Sequence, residues 1–281
     1  MTQHTTKTDS KQAALDILHK GVSDLMTSDG WKRALDFRRK FRAYSFFNVT
    51  LILAQRPDAT LVAGFRRWNE VNRFVKKGEK GIAILAPLLR QDPEDPENRV
   101  LVGFKRVFVF DYTQTEGEPI PLPEAPRLLQ DTQEDRVRIS GIKFRLAMFC
   151  ASRGVSVSWD FQHDTALGVY RPAQKQIAVR GDISDIQQTK TLIHEATHML
   201  LHTGADARAM AELESETTAY LVCRALGIET KDYSFPYLAG WAPDFEALIQ
   251  AGERASKAAD TILNTLTSNP DEQAADHQAA A

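Results

Sequence analysis

Cysteine is almost missing from this chain: Cys150 and Cys223 are the only two among 281 residues. Two thiols so far apart exclude a disulfide framework and any cysteine-rich zinc site, and both read as small buried hydrophobes. Long apolar runs are missing as well, so no stretch has the length of a membrane-spanning helix and no membrane partner is expected. The opening residues, MTQHTTKTDSKQ, lack the apolar core of a secretory signal, which makes the cytoplasm the expected compartment. Strong net charge is absent too, the formal value being −2. What remains, 43% hydrophobic and 26% charged residues, is ordinary globular composition, with length enough for two domains.

The near-neutral total conceals an asymmetry. Trp31 to Lys80 holds thirteen Lys/Arg against four Asp/Glu, whereas Leu201 to Ala281 holds five against thirteen. A basic and an acidic half suggest two modules with different partners. Between them Pro119, Pro121, Pro123 and Pro126 mark a linker. The expected fold class is therefore α+β in two domains. A disordered lead-in (1–10) precedes an N-terminal α+β domain (11–118). A proline-rich linker (119–135) leads to a C-terminal domain (136–255), and an Ala-, Asp- and Gln-rich tail (256–281) is expected to be disordered.

Apolar spacing predicts a helix through Ala14, Leu15, Ile17, Leu18, Val22 and Leu25, a second over 31–43 and a third from Ser45. Ile82–Ala86 and Leu101–Tyr112 are strand candidates joined by the loop QDPEDPEN. In the second half a helix is expected over 136–152. A β-ribbon follows, from Val155–Trp159, Ala166–Arg171 and Gln176–Arg180, with a turn at Pro172–Lys175. Ser184 with Gln187 matches a capping box and opens a helix that Gly204 ends. Another helix runs from about 207 to 226 and stops at Gly227.

The first of these two helices carries His194-Glu195-Ala196-Thr197-His198. Residues four apart share a helix face, so both imidazoles can aim at one metal ion, and Glu195 sits close enough to act on a water held there. The flanking Leu192, Ile193, Met199, Leu200 and Leu201 make this a buried helix, where uncompensated polar groups are costly and a metal supplies the compensation. Zn2+ is the expected ion, with another divalent transition metal as the alternative. Catalytic zinc takes three protein ligands. His202 continues the ladder but lies about 12 Å of helix rise from His194, too far for one ion, and is expected behind the site or at the surface. The third ligand is therefore sought in Glu212-Leu213-Glu214-Ser215-Glu216. Glu216 is the expected ligand and Glu212 the carboxylate behind a histidine, with the reverse assignment open; Glu214 is expected to point elsewhere. The chemistry that follows is hydrolysis of a protein or peptide: the metal acidifies a water, Glu195 removes its proton as catalytic base, and the ribbon at Ile177–Arg180 pairs with an extended substrate.

The basic half interleaves cations and aromatics. Arg38, Arg39, Arg42, Arg66, Arg67, Lys76, Lys77 and Lys80 are candidate phosphate contacts, and Trp68 a candidate stacking platform. Phe37, Phe41 and Tyr44 are spaced like core positions, so part of this pattern also fits a helix with a solvated charged face.

Two sets of residues resemble a known family. Tyr44-Ser45, Asn48, Ala54 to Thr60, Trp68 and Lys77 to Ile82 resemble the N-terminal domain of ArdC-like antirestriction proteins. Lys190-Thr191-Leu192 leading into the motif, Ala211 to Glu216 with Ala219-Tyr220, and Tyr233 to Tyr237 resemble the zincin-like metallopeptidase domain paired with it, related to the ImmA/IrrE peptidases. Phe47 and the Ala196-Thr197 pair depart from the usual pattern without removing a ligand. The resemblance implies single-stranded DNA as partner of the first domain. It also implies a plasmid- or phage-borne role in helping incoming DNA survive restriction, and a metal site of the two histidines and a glutamate. Three functions compete: a metalloprotease tethered to DNA, a DNA-binding protective protein whose metal domain is structural or regulatory, and a hydrolase without DNA binding, either one whose basic half contacts an acidic protein or a regulatory protease that cleaves a repressor-like protein.

Overall fold

The computed structural model describes residues 14, 16–17, 25–92, 95, 98–122, 126–202, 208–230, 235 and 244–267. Contacts divide the chain into two compact units, residues 1–124 and 125–281. Of the first expected helix, Ala14, Ile17 and Leu25 are described, while Leu15, Leu18 and Val22 lie outside the described residues, as do the lead-in 1–10 and Gly204. Among the described residues, no helix is long and apolar enough to cross a membrane.

In the first unit, α1 (Ser28–Lys40) starts at Thr27, whose hydroxyl accepts from the Gly30 N–H. It buries Trp31, Ala34, Leu35 and Phe37. The Ser45 hydroxyl caps α2 (Phe46–Gln55) in the same way. β1 (Val62–Gly64) runs into α3 (Phe65–Glu70), followed by β2 (Arg73–Val75). The long strands β3 (Ile82–Gln91) and β4 (Arg99–Asp111) form a hairpin, and β5 (Thr115–Gly117) pairs with β2. The main sheet has the antiparallel order β1-β4-β3. β3 runs well past the predicted Ala86 and through Pro87, which an edge strand tolerates because its outer N–H groups need no ladder partner. Two side-chain amides on α2 close part of that edge. Asn48 exchanges both amide hydrogen bonds with the Leu85 backbone (2.9 and 2.8 Å), and Gln55 does the same with Ala83 (2.9 and 2.8 Å). An edge covered in this manner cannot recruit another strand at those residues.

Asp111 knots the unit together. Its buried carboxylate accepts from the backbone N–H groups of Thr60, Leu61 and Thr113 and from the Thr113 hydroxyl. Burial pushes this carboxyl up, but the four donors outweigh it and hold it below the usual carboxylate range. Gln114, at the far end of the capping box that Asp111 opens, donates to the Glu79 carboxylate and the Lys80 carbonyl, both at 2.9 Å. The lysine-rich loop at 76–80 is thereby tied to the end of β4.

In the second unit, α4 (Gln133–Ala151) leads to three short strands, β6 (Ser156–Ser158), β7 (Gly168–Arg171) and β8 (Gln176–Val179). These make a mixed sheet of order β6-β8-β7, with β6 parallel and β7 antiparallel to β8. The helices α5 (Asp185–Leu201), α6 (Arg208–Leu226) and α7 (Phe245–Thr267) complete the unit. Ser184 caps α5 by accepting from the Gln187 N–H. Cys150 and Cys223 are both buried free thiols, and burial pushes that of Cys150 up to about 12.

Two expectations are corrected here. The tail from 256 is helical as far as Thr267: Ala251, Ala255, Ala258, Ala259, Ile262, Leu263 and Leu266 are buried, and α7 packs chiefly on α6. The alanines that read as low complexity are strong helix formers at helical spacing; residues 268–281 lie outside the described residues. The second half of the proline-rich linker is docked as well. The Arg127 guanidinium grips Asp135 through two bonds of 2.9 and 2.6 Å, Leu129 N–H donates to the Gly227 carbonyl, and α4 begins at Gln133 under a Thr132 cap. Proline content reports extended backbone, not whether that backbone finds a surface. Gly227 permits this docking: it stops α6 with φ of +79°, and a Cβ there would stand 2.1 Å from the Arg127 carbonyl oxygen. Of Tyr233 to Tyr237 only Phe235 is described, buried against Tyr220.

The Asp135 carboxyl is held down to about 2, first by the Arg127 hydrogen bond and then by the Gln130 N–H. A carboxyl lowered on folding stabilises the native state above its unfolded pKa, about 3.9, and loses that contribution as pH falls toward its folded value. Urea denaturation of the chain is expected to show stability declining between pH 4 and pH 2, and Asp135→Asn to flatten that decline. An unchanged acid slope in the variant would count against this clamp.

Candidate metal centre

The site is built by two antiparallel helices carrying ladders at four-residue spacing. On α5, Leu192, Ile193 and Ala196 are fully buried, which turns His194 and His198 toward α6 with side chains 16% and 17% exposed. Their Nε2 atoms converge to 3.1 Å. The Glu212 carboxylate lies 3.4 Å from the His194 Nε2 and 3.8 Å from that of His198. A divalent ion bound tetrahedrally at about 2.0–2.1 Å needs donors about 3.3 Å apart, and these separations bracket that value. Among the described residues, His194, His198 and Glu212 can each offer one ligand atom with all three within 4.8 Å of one another.

This arrangement reverses the expected roles of the two glutamates. Glu216 reaches the other side of the His194 ring, its Oε1 standing 3.2 Å from Nδ1. From there it can accept a hydrogen bond from Nδ1–H, which on the neutral ring leaves the Nε2 lone pair facing the ligand cluster, the usual task of a carboxylate behind a metal-binding histidine. Glu212 and Glu216 share a helix face; the axial offset between α5 and α6 decides which stands level with the converging nitrogens.

His202, expected behind the site or at the surface, takes the first of these places, and Glu214, expected to point elsewhere, joins it in a chain behind His198. The Nδ1 atoms of His198 and His202 are 3.0 Å apart, and His202 Nε2 is 2.9 Å from the Glu214 carboxylate, which is buried and also met by Arg254 Nε at 3.3 Å. One tautomer set satisfies every atom: His198 Nδ1–H donates to His202, whose Nε2–H donates to Glu214. The Nε2 of His198 then remains available as a ligand. The signal was present in the sequence as a third histidine at i+4; its partner could not be read because Glu214 meets it only through the helix pair.

Glu195 lies beside the imidazoles and faces β7, accepting from the Tyr170 backbone N–H. Burial raises its carboxyl, against the opposing pull of His194 and that N–H. β7 approaches this closely because residue 168 is glycine: a Cβ there would lie 2.6 Å from the Thr191 methyl and 3.3 Å from Glu195 Cγ. Burial alone would lower His194, but its contacts with Glu212 and Glu216 prevail and lift it to about 10. His198 is lowered to about 4 by burial and by its charged neighbour His194. The pair therefore holds one proton tightly and resists a second. A cleft of about 1070 Å³ opens over these groups, lined on one side by β7. The stretch expected to meet an extended substrate, Ile177–Arg180, falls largely in β8, which is paired on both edges; β7, which lines the cleft, is an edge strand.

The predicted nucleic-acid residues separate into two groups. Arg38 (4% exposed) and Trp68 (1%) belong to the core, and the Trp68 Nε1–H donates to the Phe110 carbonyl at 2.9 Å. Both are therefore withdrawn as DNA contacts: their spacing put them on buried faces. Arg39 is half-buried, while Arg42, Arg66, Arg67, Lys76, Lys77 and Lys80 are exposed, Arg67 pairing with Glu70 and Lys76 donating to the Thr113 carbonyl. Exposed aromatics lie elsewhere in the unit, Phe65 (53%) and Phe74 (54%) among them. Phe104 (49%) and Phe108 (51%) alternate with Arg106 on the outer face of β4, with the Arg106 guanidinium 5.6 Å from the Phe108 ring centre. In the sequence these phenylalanines looked like ordinary β-formers, because alternation does not say which face is outside.

The ligand assignment predicts that Glu212→Gln lowers metal affinity far more than Glu216→Gln, the latter by about 10- to 100-fold. Calorimetric titration of both variants with Zn2+ and Mn2+ is the check; the opposite order would restore Glu216 as the ligand.

Residues 18–118 match the family model for the N-terminal domain of anti-restriction factor ArdC. An uncharacterised protein of Bacillus anthracis is 22% identical over 93% of the chain, which spans about half (52%) of that relative's length. Among solved structures, the Mn(II)-bound antirestriction protein ArdC from plasmid R388 is 19% identical with a TM-score of 0.51, covering 79% of this chain and 84% of that one. Its metal-free form is 21% identical with a TM-score of 0.49, covering 78% and 84%. Residues 18–118 thus match the family of ArdC N-terminal domains, and the chain shares its fold with the solved ArdC structure.

Proposed function

We propose that this is an antirestriction-type protein that binds single-stranded DNA through its first unit and carries a zinc-dependent metallopeptidase in its second, working in the cytoplasm. The observation that carries the second half is the convergence of two imidazole Nε2 atoms and the Glu212 carboxylate beside a buried Glu195, in an open cleft. Two nitrogens and one carboxylate suit zinc, and Mn(II), the ion of the R388 protein's structure, is compatible with the same set. When bound, such an ion supplies Lewis acidity, polarising a carbonyl and acidifying a water in the same site.

The rest is the work of this chain's own residues. Glu195, raised by burial, is placed to take a proton from the attacking water and deliver it to the leaving amine. The Tyr170 N–H orients its carboxylate. The outer edge of β7 offers backbone groups to an extended peptide, which would then lie across the ligands.

For the first unit, the outer face of β4 supports the reading. Phe104, Arg106 and Phe108 follow one another at about 6.8 Å, the two-residue repeat of a strand and close to the spacing of unstacked nucleotides. Exposed Arg66, Lys77 and Lys80 add phosphate-neutralising charge.

Glu195→Gln is expected to keep a full complement of metal and lose peptide cleavage. If that variant protects DNA as well as the wild type does, the metal domain serves a structural or regulatory role instead. Oligonucleotide titrations are expected to give affinities that fall linearly with the logarithm of salt, and Phe104→Ala with Phe108→Ala to weaken binding by about tenfold or more. A protein with no salt-dependent affinity for single strands would remove the DNA assignment.

A further inference from the structure

The charges around the cleft point to a substrate class. Among the described residues, the acidic ones that line it are Glu195, Glu212 and Glu216, all assigned above to the metal site and its chemistry. The remaining ionic lining among the described residues is cationic: Arg171, Lys190 and Arg208. Their placement follows from the same two ladders that build the site. Lys190 precedes His194 by four residues on α5, and Arg208 precedes Glu212 by four on α6. Each therefore stands one turn, about 6 Å, outside its ligand on the face turned to the cleft. Because the helices are antiparallel, the two cations lie at opposite ends of the cluster. Arg208 is close enough for its charge to act on Glu212.

Two groups on the opposite wall have the same polarity. Arg171 ends the edge strand β7, with its guanidinium held by the Gln176 side-chain oxygen at 3.0 Å and set 5.8 Å from the Phe161 ring centre. His163 accepts at Nδ1 from the backbone N–H groups of Thr165 (3.2 Å) and Ala166 (3.0 Å). With Nδ1 so occupied, its proton sits on Nε2, which makes His163 a hydrogen-bond donor there. A divalent ion in the ligand cluster would add further positive charge. A peptide drawn along β7 would thus meet cations or donors on both sides of the scissile bond, with no carboxylate among the described lining residues left to welcome a basic side chain.

We propose that the cleft selects peptides with acidic side chains flanking the scissile bond, held by Lys190, Arg208, Arg171 and the Nε2–H of His163. The proposal rests on the metallopeptidase reading above. The test uses the full chain carrying Glu195→Gln, loaded with Zn2+, and two fluorescent peptides identical except for Glu or Lys on either side of the central bond. Binding is read by anisotropy. The Glu peptide is expected to bind about tenfold more tightly, as two or three partly screened ion pairs allow, and the preference to shrink at high salt. Lys190→Glu with Arg208→Glu in the same background should abolish or invert it. The milder Lys190→Gln with Arg208→Gln should reduce it, with bound zinc confirming in each case that the site is assembled. Equal binding of the two peptides, a preference for the Lys peptide, or a preference that survives charge reversal overturns the proposal. If neither peptide binds and the wild type cleaves neither, the metallopeptidase reading itself fails and takes the proposal with it.

Discussion

The second unit depends on the axial offset between α5 and α6. Each helix carries its polar groups at four-residue spacing, His194, His198 and His202 on one and Glu212 and Glu216 on the other, with Glu214 turned inward between them. None of these groups tolerates burial alone, since uncompensated polar and charged atoms in an apolar interior are costly. The offset that places Glu212 level with the converging imidazoles also places Glu216 behind His194 and brings Glu214 to His202. One packing relation satisfies all of these contacts. It is held from outside by α7, whose buried alanines let it lie close to α6 and whose Arg254 reaches Glu214.

The same economy appears in the first unit on a different architecture. Asp111 gathers four donors from two chain segments, and Gln114 extends that network to the lysine-rich loop. With the Asn48 and Gln55 amides closing part of the β3 edge, the hairpin is braced on its inner side. Its outer face is left free to carry Phe104, Arg106 and Phe108. Their exposure makes these aromatics candidates for the contact proposed above, which the buried Trp68 is not.

Much of this was legible in local pattern. The caps at Ser45 and Ser184, the stop at Gly227, the antiparallel hairpin and the two-histidine face of α5 all express geometry within a few residues, which is the range that composition and periodicity report. The alanine-rich stretch after 256 misled because composition was weighed over spacing, and the segment from 126 because proline content does not reveal docking. Arg38 and Trp68 misled for a related reason: cations and aromatics were counted along the chain, while exposure is decided across it.

By itself, then, the sequence determined that two histidines and a glutamate share one helix, that an acidic helix follows it, and that a basic module precedes both. Tertiary structure alone decided which glutamate joins the imidazoles, that Glu214 meets His202 behind them, that β7 rather than β8 offers an open edge to the cleft, and that the remaining ionic lining among the described residues is cationic. The physical reason is one of range. Spacing along a helix states which residues share a face, but the residues they meet depend on how far one helix slides against another. That sliding is set by packing summed over apolar side chains remote from the site.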